Sequence, residues 1–97
     1  MIYYIDIDNT ICHTIDSNYW RAKPLKDRIT KINNLFHAGH TIIYWSARGS
    51  HSGKDWYDFT DQQLNDWGCL RHKLVLQKPA YDIFIDDKVI NTKDFFE

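Results

Sequence analysis

Short apolar runs alternate along this chain with longer stretches that mix apolar and polar residues. Residues 2–7 are mostly apolar and rich in Ile and Tyr, which predicts a buried strand. Two further runs, at residues 40–45 and 72–77, predict a second and a third strand. The sequence DIFI at residues 82–85 predicts a fourth strand, and like the first it leads directly into aspartates.

Two segments between these runs have the spacing of amphipathic helices. Pro24 suits the first turn of one helix and Gly39 can end it. Residues 55–67 predict a second helix, which Gly68 stops. The apolar positions of the first helix are Leu25, Ile29, Ile32, Leu35 and Phe36, and those of the second are Trp56, Phe59, Leu64 and Trp67. We interpret both stripes as core.

Strands that alternate with helices predict an α/β fold with a parallel sheet. We expect a three-layer, Rossmann-like arrangement of about four strands in the order 3-2-1-4, with helices on both faces. The chain is short enough to form a single domain over residues 1–97. In such sheets the ligand lies beyond the carboxyl ends of the strands.

Composition and charge exclude some classes of function. The net charge of −1 gives no reason to expect a nucleic acid partner. The chain has no apolar stretch of the ~20 residues that a membrane span needs, and we read no signal peptide at its start. Cys12 and Cys69 fit no metal-ligand spacing, and although they could form one disulfide we expect reduced thiols in a cytoplasmic protein.

Polar side chains follow every predicted strand. Asp6 and Asp8 lie two residues apart, so in an extended strand they face the same way. Asp86 and Asp87 follow the fourth run, and Lys78 lies just past the third. Ser46 follows the second run directly. If the fourth strand lies beside the first, all four aspartates share one crevice.

Such a cluster needs a counter-charge. Two carboxylates ~4 Å apart repel each other by ~4 kcal/mol at an effective dielectric constant of 20. Protonation, a lysine or a divalent cation could neutralise them. Ligands that offer only oxygen favour Mg²⁺, and the absence of His and Cys from these motifs argues against zinc. We therefore predict a Mg²⁺ site formed by Asp6, Asp8, Asp86 and Asp87.

The order of these parts resembles the haloacid dehalogenase superfamily of phosphotransferases. The first motif of that superfamily is D-x-D-x-T after an apolar strand, and here it reads DIDNT at residues 6–10. Ser46 matches the second motif, Lys78 the third, and the pair Asp86 and Asp87 the fourth. One departure is Asn9, where many members have Gly, but Asn tolerates a left-handed backbone.

Three shorter stretches resemble a narrower group within that superfamily. They are KPLKDRITKIN, AGHTIIYWSARG and KPAYDIFIDDK. The group consists of small phosphatases without a cap domain that are associated with the synthesis of bacterial capsule or lipopolysaccharide sugars. Residues 11–23 and 47–54 are indeed too short to hold a cap. We therefore expect a site that is open, which would tolerate a large substrate, or one that is covered by another subunit. The resemblance implies a small phosphorylated substrate such as a sugar phosphate, and a homodimer is possible.

The resemblance also assigns a role to each motif residue. Asp6 would be the nucleophile that forms an aspartyl-phosphate, and Asp8 the general acid and base. Mg²⁺ would lie between Asp6, the backbone carbonyl of Asp8, and Asp86, while Asp87 would position a metal-bound water or Lys78. Ser46 and Lys78 would bind phosphate oxygens.

Other polar residues near these motifs are candidates for substrate binding. Asn9 could offer its backbone N–H to the phosphate, and Thr10 could orient the turn. The loop residues Arg48, His51 and Lys54 could hold a second anionic group or sugar hydroxyls, although a solvated loop explains them equally well. Trp20 could stack on a sugar, or it could pack into the core.

Three alternatives remain open at this stage. A nucleotidase or a polynucleotide 3′-phosphatase would use the same motifs, with aromatic residues stacking on a base. A signalling receiver domain also combines an acidic pocket, a hydroxyl and a lysine, but its lysine follows the last strand, whereas Lys78 precedes the final acidic pair. A catalytically inactive relative that only binds phosphate is the third.

Overall fold

A computed structural model describes all 97 residues, which form five strands, three α-helices and one 3₁₀ turn. The strands are β1 Ile2–Ile5, β2 Cys12–His13, β3 Lys23–Pro24, β4 Thr41–Trp45 and β5 Lys73–Val75. The helices are α1 Lys26–His37, α2 Tyr57–Asp66 and α3 Thr92–Phe96, and the 3₁₀ turn is Tyr19–Arg21. The predicted helices and the first three predicted strands are therefore present, with ends shifted by a few residues.

The main sheet has three parallel strands in the order β1-β4-β5. Its register places Ile5 beside Tyr44, and Tyr44 beside Leu74. Since neighbouring residues in a parallel sheet point to the same face, these three side chains form one apolar row. The predicted α/β class with a parallel sheet is confirmed. The sheet has three strands, so the predicted order of four strands is not confirmed.

The core lies on the face of the sheet to which this row points. Ile29 and Ile32 from α1 and Leu64 from α2 belong to the same buried cluster as Tyr44. Phe95 and Phe96 of α3 pack against that cluster as well. The two cysteines are also part of it, and both are free thiols, as expected.

The prediction of helices on both faces is wrong for this structure. Ile2 and Tyr4 of β1 and Val75 of β5 point to the other face and are exposed. The reason is the direction in which the chain crosses the sheet. It moves from β1 to β4 to β5 without reversing, and right-handed crossovers in one direction place all connecting helices on the same face.

The predicted fourth strand is likewise absent. Residues 79–91 are exposed throughout, and residues 79–90 form no backbone–backbone hydrogen bond. We call residues 79–91 the exposed strap. Its Phe84 ring lies near the ring of Trp45 in β4, with 6.5 Å between the two centroids. A four-residue edge strand gains few hydrogen bonds, each of ~1 kcal/mol net. Pairing would bring the Asp86 carboxylate towards Asp6 and Asp8, whose charges Lys78 and Arg48 already balance, and the added repulsion would offset these bonds.

The segment that follows β1 folds into a small antiparallel ladder rather than a cap. Cys12 of β2 pairs with Pro24 of β3, so Pro24 lies in a strand and not, as predicted, in the first turn of α1. The preceding turn contains Asn9 with φ of 61°, which confirms the left-handed backbone expected there. None of the helices is both long enough and apolar enough to cross a membrane.

Candidate active site

The first motif lies in a tight turn at the carboxyl end of β1. The backbone amides of Thr10 and Ile11 both donate to the carbonyl oxygen of Ile7, at 3.1 and 3.0 Å. Ile7 itself is fully buried, so the turn is anchored in the core between the two acidic residues. The side chains of Asp6 and Asp8 remain partly exposed, by 40% and 23%. The turn therefore presents both carboxylates at the edge of the sheet.

Asp6 is bound by two other motif residues. The Nζ atom of Lys78 lies 3.6 Å from its Oδ1, and the hydroxyl of Thr10 donates to its Oδ2 at 3.1 Å. Lys78 is itself held in place, because its backbone amide donates to the carbonyl of Ser46 and its ammonium lies over the ring of Trp45. The first, second and third motifs thus meet at one edge of the sheet, as expected.

Asp8 forms a bidentate ion pair with Arg48. Nε of Arg48 donates to Oδ2 of Asp8 and one terminal nitrogen donates to Oδ1, both at 2.9 Å. The hydroxyl of Thr14 donates to the same Oδ1 at 2.6 Å. Paired N–H···O bonds of this kind are among the stronger polar interactions in proteins. Lys78 and Arg48 therefore place one positive charge beside each of the two carboxylates.

Arg48 is placed differently from the prediction that it binds substrate. Its side chain has no solvent exposure, and its remaining terminal nitrogen donates to Thr60 at 3.2 Å and to Gln63 at 2.7 Å. Since four of its five N–H donors bind protein groups and its side chain is buried, Arg48 positions Asp8 instead of reaching into solvent. No signal in the sequence distinguishes this buried position from that of a solvated loop residue.

Ser46 lies buried at the carboxyl end of β4. Its hydroxyl oxygen accepts a hydrogen bond from the backbone amide of Arg48 at 3.1 Å, and the residue is only 1% exposed. The backbone carbonyl of Ser46 also accepts a hydrogen bond, from the backbone amide of Lys78. Ser46 therefore links the lysine to the arginine.

The other predicted substrate residues lie around this centre. Thr10 is buried and shares a hydrogen bond with Thr92 at 2.9 Å, so it holds the turn. The side chain of Asn9 accepts from the backbone amide of Thr14 at 3.1 Å. His51 and Lys54 are exposed in the loop before α2, and the ammonium of Lys54 lies 4.4 Å from the ring centroid of Trp56.

Asp86 and Asp87 are not brought to this centre. Both lie in the exposed strap, and Asp86 accepts a hydrogen bond from the backbone amide of Lys88. No group of three or more His, Cys, Asp or Glu side chains lies close enough to hold a metal ion. The predicted cluster of four carboxylates is therefore wrong for this structure. Of the two remaining carboxylates, Asp6 is the more exposed, because Arg48 and Thr14 hold the Asp8 side chain.

Cys12 lies beside Asp8 but does not have the properties of a nucleophile. Its Sγ is 3.8 Å from Oδ1 of Asp8, and the residue is fully buried. Burial raises the pKa of the Cys12 thiol, and the neighbouring carboxylate of Asp8 also raises it. Since the thiolate is the reactive form, a cysteine-based phosphate transfer is disfavoured at this site.

The loop that carries Arg48 depends on Gly49, and we expect Gly49→Ala to be clearly destabilising. The backbone there has φ of 84°, and an added Cβ would lie 2.1 Å from the carbonyl oxygen of Lys54. Gly53 is a matched control because its φ is 76° but a Cβ would meet no atom within 4 Å. Urea denaturation should show a loss of about 1 kcal/mol for Gly53→Ala and a larger loss for Gly49→Ala. Equal losses would show that the close contact does not matter.

Comparison with known proteins supports the fold. No protein-family model matches the chain, and no curated protein matches it. Among solved structures, the crystal structure of an MCSG target from Vibrio cholerae superposes with a TM-score of 0.87. The match covers 97% of this chain and 85% of that one, at 18% sequence identity. A similarity at this level of identity establishes a shared fold and nothing about chemistry.

Proposed function

We propose that this chain is a phosphomonoester hydrolase of the haloacid dehalogenase type that acts through an aspartyl-phosphate. The observation that carries the proposal is the environment of Asp6. It is an accessible carboxylate at the carboxyl end of β1, with Lys78 3.6 Å from one oxygen and Thr10 bound to the other. The substrate that we propose is a small phosphorylated molecule such as a sugar phosphate. We also propose a cytoplasmic location, which the two free thiols suit.

The proposed reaction has two displacements at phosphorus. In the first, a carboxylate oxygen of Asp6 attacks the phosphate, the bond to the leaving oxygen breaks, and Asp8 gives that oxygen a proton. In the second, Asp8 takes a proton from water, the water oxygen attacks phosphorus, and inorganic phosphate leaves Asp6 as a carboxylate. Lys78 and the Ser46 hydroxyl would stabilise the negative charge on the phosphate oxygens.

The contacts of Asp8 indicate which of its atoms would carry the proton. Oδ1 already accepts hydrogen bonds from Thr14 and Arg48, whereas Oδ2 accepts a single strong one from Arg48. A carboxylate oxygen has two lone pairs, so Oδ2 retains one for a proton. We therefore assign the acid and base role to Oδ2 of Asp8.

The oxygen atoms available at this site are of the kind that binds Mg²⁺. Asp6 offers an accessible carboxylate, and Mg²⁺ in phosphate-transfer sites is commonly held by one or two carboxylates with water and substrate. Asp6, the backbone carbonyl of Asp8, and Asp86 would hold it, with Asp87 close by. When bound, such an ion neutralises the phosphate charge as the nucleophile approaches.

For Asp86 to take part, the exposed strap has to approach β1. The outer edge of β1 is free, because β1 is the terminal strand of the sheet. Pairing of residues 82–85 with this edge would give the fourth strand of the 3-2-1-4 order and cover the apolar side chains that the strap exposes. A cation near Asp6 would remove the repulsion that opposes this pairing.

A nucleotidase is the second candidate function, because one indole near the site is exposed and available to stack. Trp20 is 59% exposed and lies in the segment that follows the first motif. The same proposed chemistry at Asp6 would then act on a nucleotide, or on a polynucleotide 3′-phosphate. The low net charge of −1 makes a long nucleic acid the weaker of the two.

Release of inorganic phosphate by the purified protein tests the proposal. The substrates are sugar phosphates, nucleotides and a 3′-phosphorylated oligonucleotide, each with Mg²⁺ and with a chelator. We expect release that requires Mg²⁺ and favours one substrate class. A stable phosphorylated protein that releases no phosphate would instead indicate a receiver domain. No release and no phosphorylated protein would indicate a binding module and contradict the proposal.

A further inference from the structure

Aromatic side chains form a stacked surface next to the candidate active site. The indoles of Trp20 and Trp56 are nearly parallel, with 12° between their planes and 6.3 Å between their centroids. The rings of Tyr19 and Phe59 meet Trp56 edge-on at 4.9 and 5.3 Å. We call these four residues, with Lys54 beside Trp56, the aromatic platform.

The platform is tied directly to the residues that hold Asp8. Arg48 lies over the ring of Tyr19 at 4.6 Å, and the backbone carbonyl of Tyr19 accepts a hydrogen bond from Gln63 at 2.7 Å. Gln63 in turn accepts from Arg48. Tyr19 and Trp20 follow β1 and Trp56 follows β4, so the platform lies at the carboxyl ends of the strands, where Asp6 and Asp8 also lie.

The exposure of Trp20 is not explained by packing. The alternative of a core role for Trp20 is wrong, since the residue is 59% exposed and belongs to no buried cluster. One face of its ring stacks on Trp56, and the residue lies in the 3₁₀ turn Tyr19–Arg21. An exposed apolar ring whose position is restricted by such contacts can bind another ring at a lower cost in entropy than a free side chain.

We propose that the free face of Trp20 binds a ring of the substrate through that ring's less polar face, at a distance from the phosphate that is cleaved. The chemistry required is a ring with one weakly polar face, which either a sugar or a nucleobase provides. The ammonium of Lys54 lies beside the stack and suits an anionic or hydroxyl substituent on that ring. This inference rests on the proposed phosphatase activity for its substrate, and it assigns Trp20 as the residue that sets specificity.

Steady-state kinetics of Trp20→Ala test the assignment. The substrates are a hexose phosphate, a nucleoside monophosphate and glycerol phosphate, which has no ring. We expect KM for the preferred ring-bearing substrate to rise about tenfold more than KM for glycerol phosphate, with rescue by Trp20→Phe. Which ring-bearing substrate shows the effect identifies the sugar or the base. Tyr4→Ala, an exposed aromatic residue on the bare face of the sheet, should change neither KM.

Equal effects on ring-bearing and ringless substrates would overturn the assignment. A second measurement keeps this result separate from failure of the proposed function. Indole N–H resonances of the Asp6→Asn protein are followed by NMR during titration with the hexose phosphate and with the nucleoside monophosphate. A shift of the Trp20 resonance without a shift of Trp67 supports the subsite even if no phosphate is released, and no shift of Trp20 with either ligand overturns it.

Discussion

Asp6→Asn should abolish phosphate release while the protein stays folded. The amide is nearly the same size as the carboxylate and can still accept a hydrogen bond from Thr10, so the turn at the end of β1 should persist. It lacks the negative charge that attacks phosphorus, so no aspartyl-phosphate can form. We expect a fall in kcat on the order of a thousandfold or more. Circular dichroism and urea denaturation would report on the fold, and phosphate release on the chemistry.

Asp16→Asn provides a matched control for this result. Asp16 is exposed and has φ of 52°, a conformation that asparagine also tolerates. The substitution removes the same charge from the segment that follows β1, at an exposed residue to which we assign no role, and it should leave kcat unchanged. Activity retained by Asp6→Asn, or lost equally in both variants, would remove Asp6 as the nucleophile.

The regular part of the fold could be predicted because its signals are local. The runs that became β1, β4 and β5 are short and bounded by polar residues, and the two long helices carry apolar stripes with stop signals. The ends were less certain: the first run was predicted to residue 7, but β1 ends at Ile5. Ile7 is still buried, but it turns the chain rather than extending the strand, because two amides donate to its carbonyl.

The fourth strand could not be decided from the sequence, because its pairing depends on charge as well as pattern. DIFI has the composition of a strand, yet pairing it with β1 would bring Asp86 and Asp87 towards Asp6. The structure leaves these residues exposed, together with Ile83 and Ile85. Pairing with β1 would also have reversed the direction in which the chain crosses the sheet, because β1 is the terminal strand. The bare face has a different cause, since an edge strand extends a sheet and does not cover its face.

The sequence predicted which residues lie at the candidate site better than it predicted which groups those residues contact. Motif order placed Asp6, Ser46 and Lys78 together, because carboxyl ends of parallel strands meet at one edge. Nothing in the sequence showed that Arg48 turns inward to Asp8, since a polar loop residue and a buried ion-pair partner look alike in a pattern. Thr60 and Gln63, which complete the surroundings of Arg48, are on α2 and distant in sequence.

Arg48→Met should cost about 3 kcal/mol of stability and most of the activity. Removal of one partner leaves the Asp8 carboxylate, which is only 23% exposed, without its counter-charge, and such losses typically cost ~3–5 kcal/mol. The partial exposure of Asp8 places the expectation at the low end of that range. Asp8 would also lose the orientation that presents Oδ2, so kcat should fall by ~10²-fold or more. Urea denaturation and phosphate release measure the two effects.

Two further variants separate the ion pair from mere packing. Arg48→Lys keeps the charge but cannot form the two parallel bonds to Asp8, so we expect it to recover part of the stability and little of the kcat.

Asp8→Ala leaves a fully buried guanidinium without its carboxylate partner and should cost more stability than Arg48→Met. In the double variant Asp8→Ala with Arg48→Met neither charge is left alone, so its cost should be about 2 kcal/mol smaller than the sum of the two single costs. Single costs that simply add would mean that the ion pair contributes no coupling, and Arg48 would then act on Asp8 only by filling space. A measured coupling together with poor rescue by lysine would establish that the bidentate geometry itself positions Asp8.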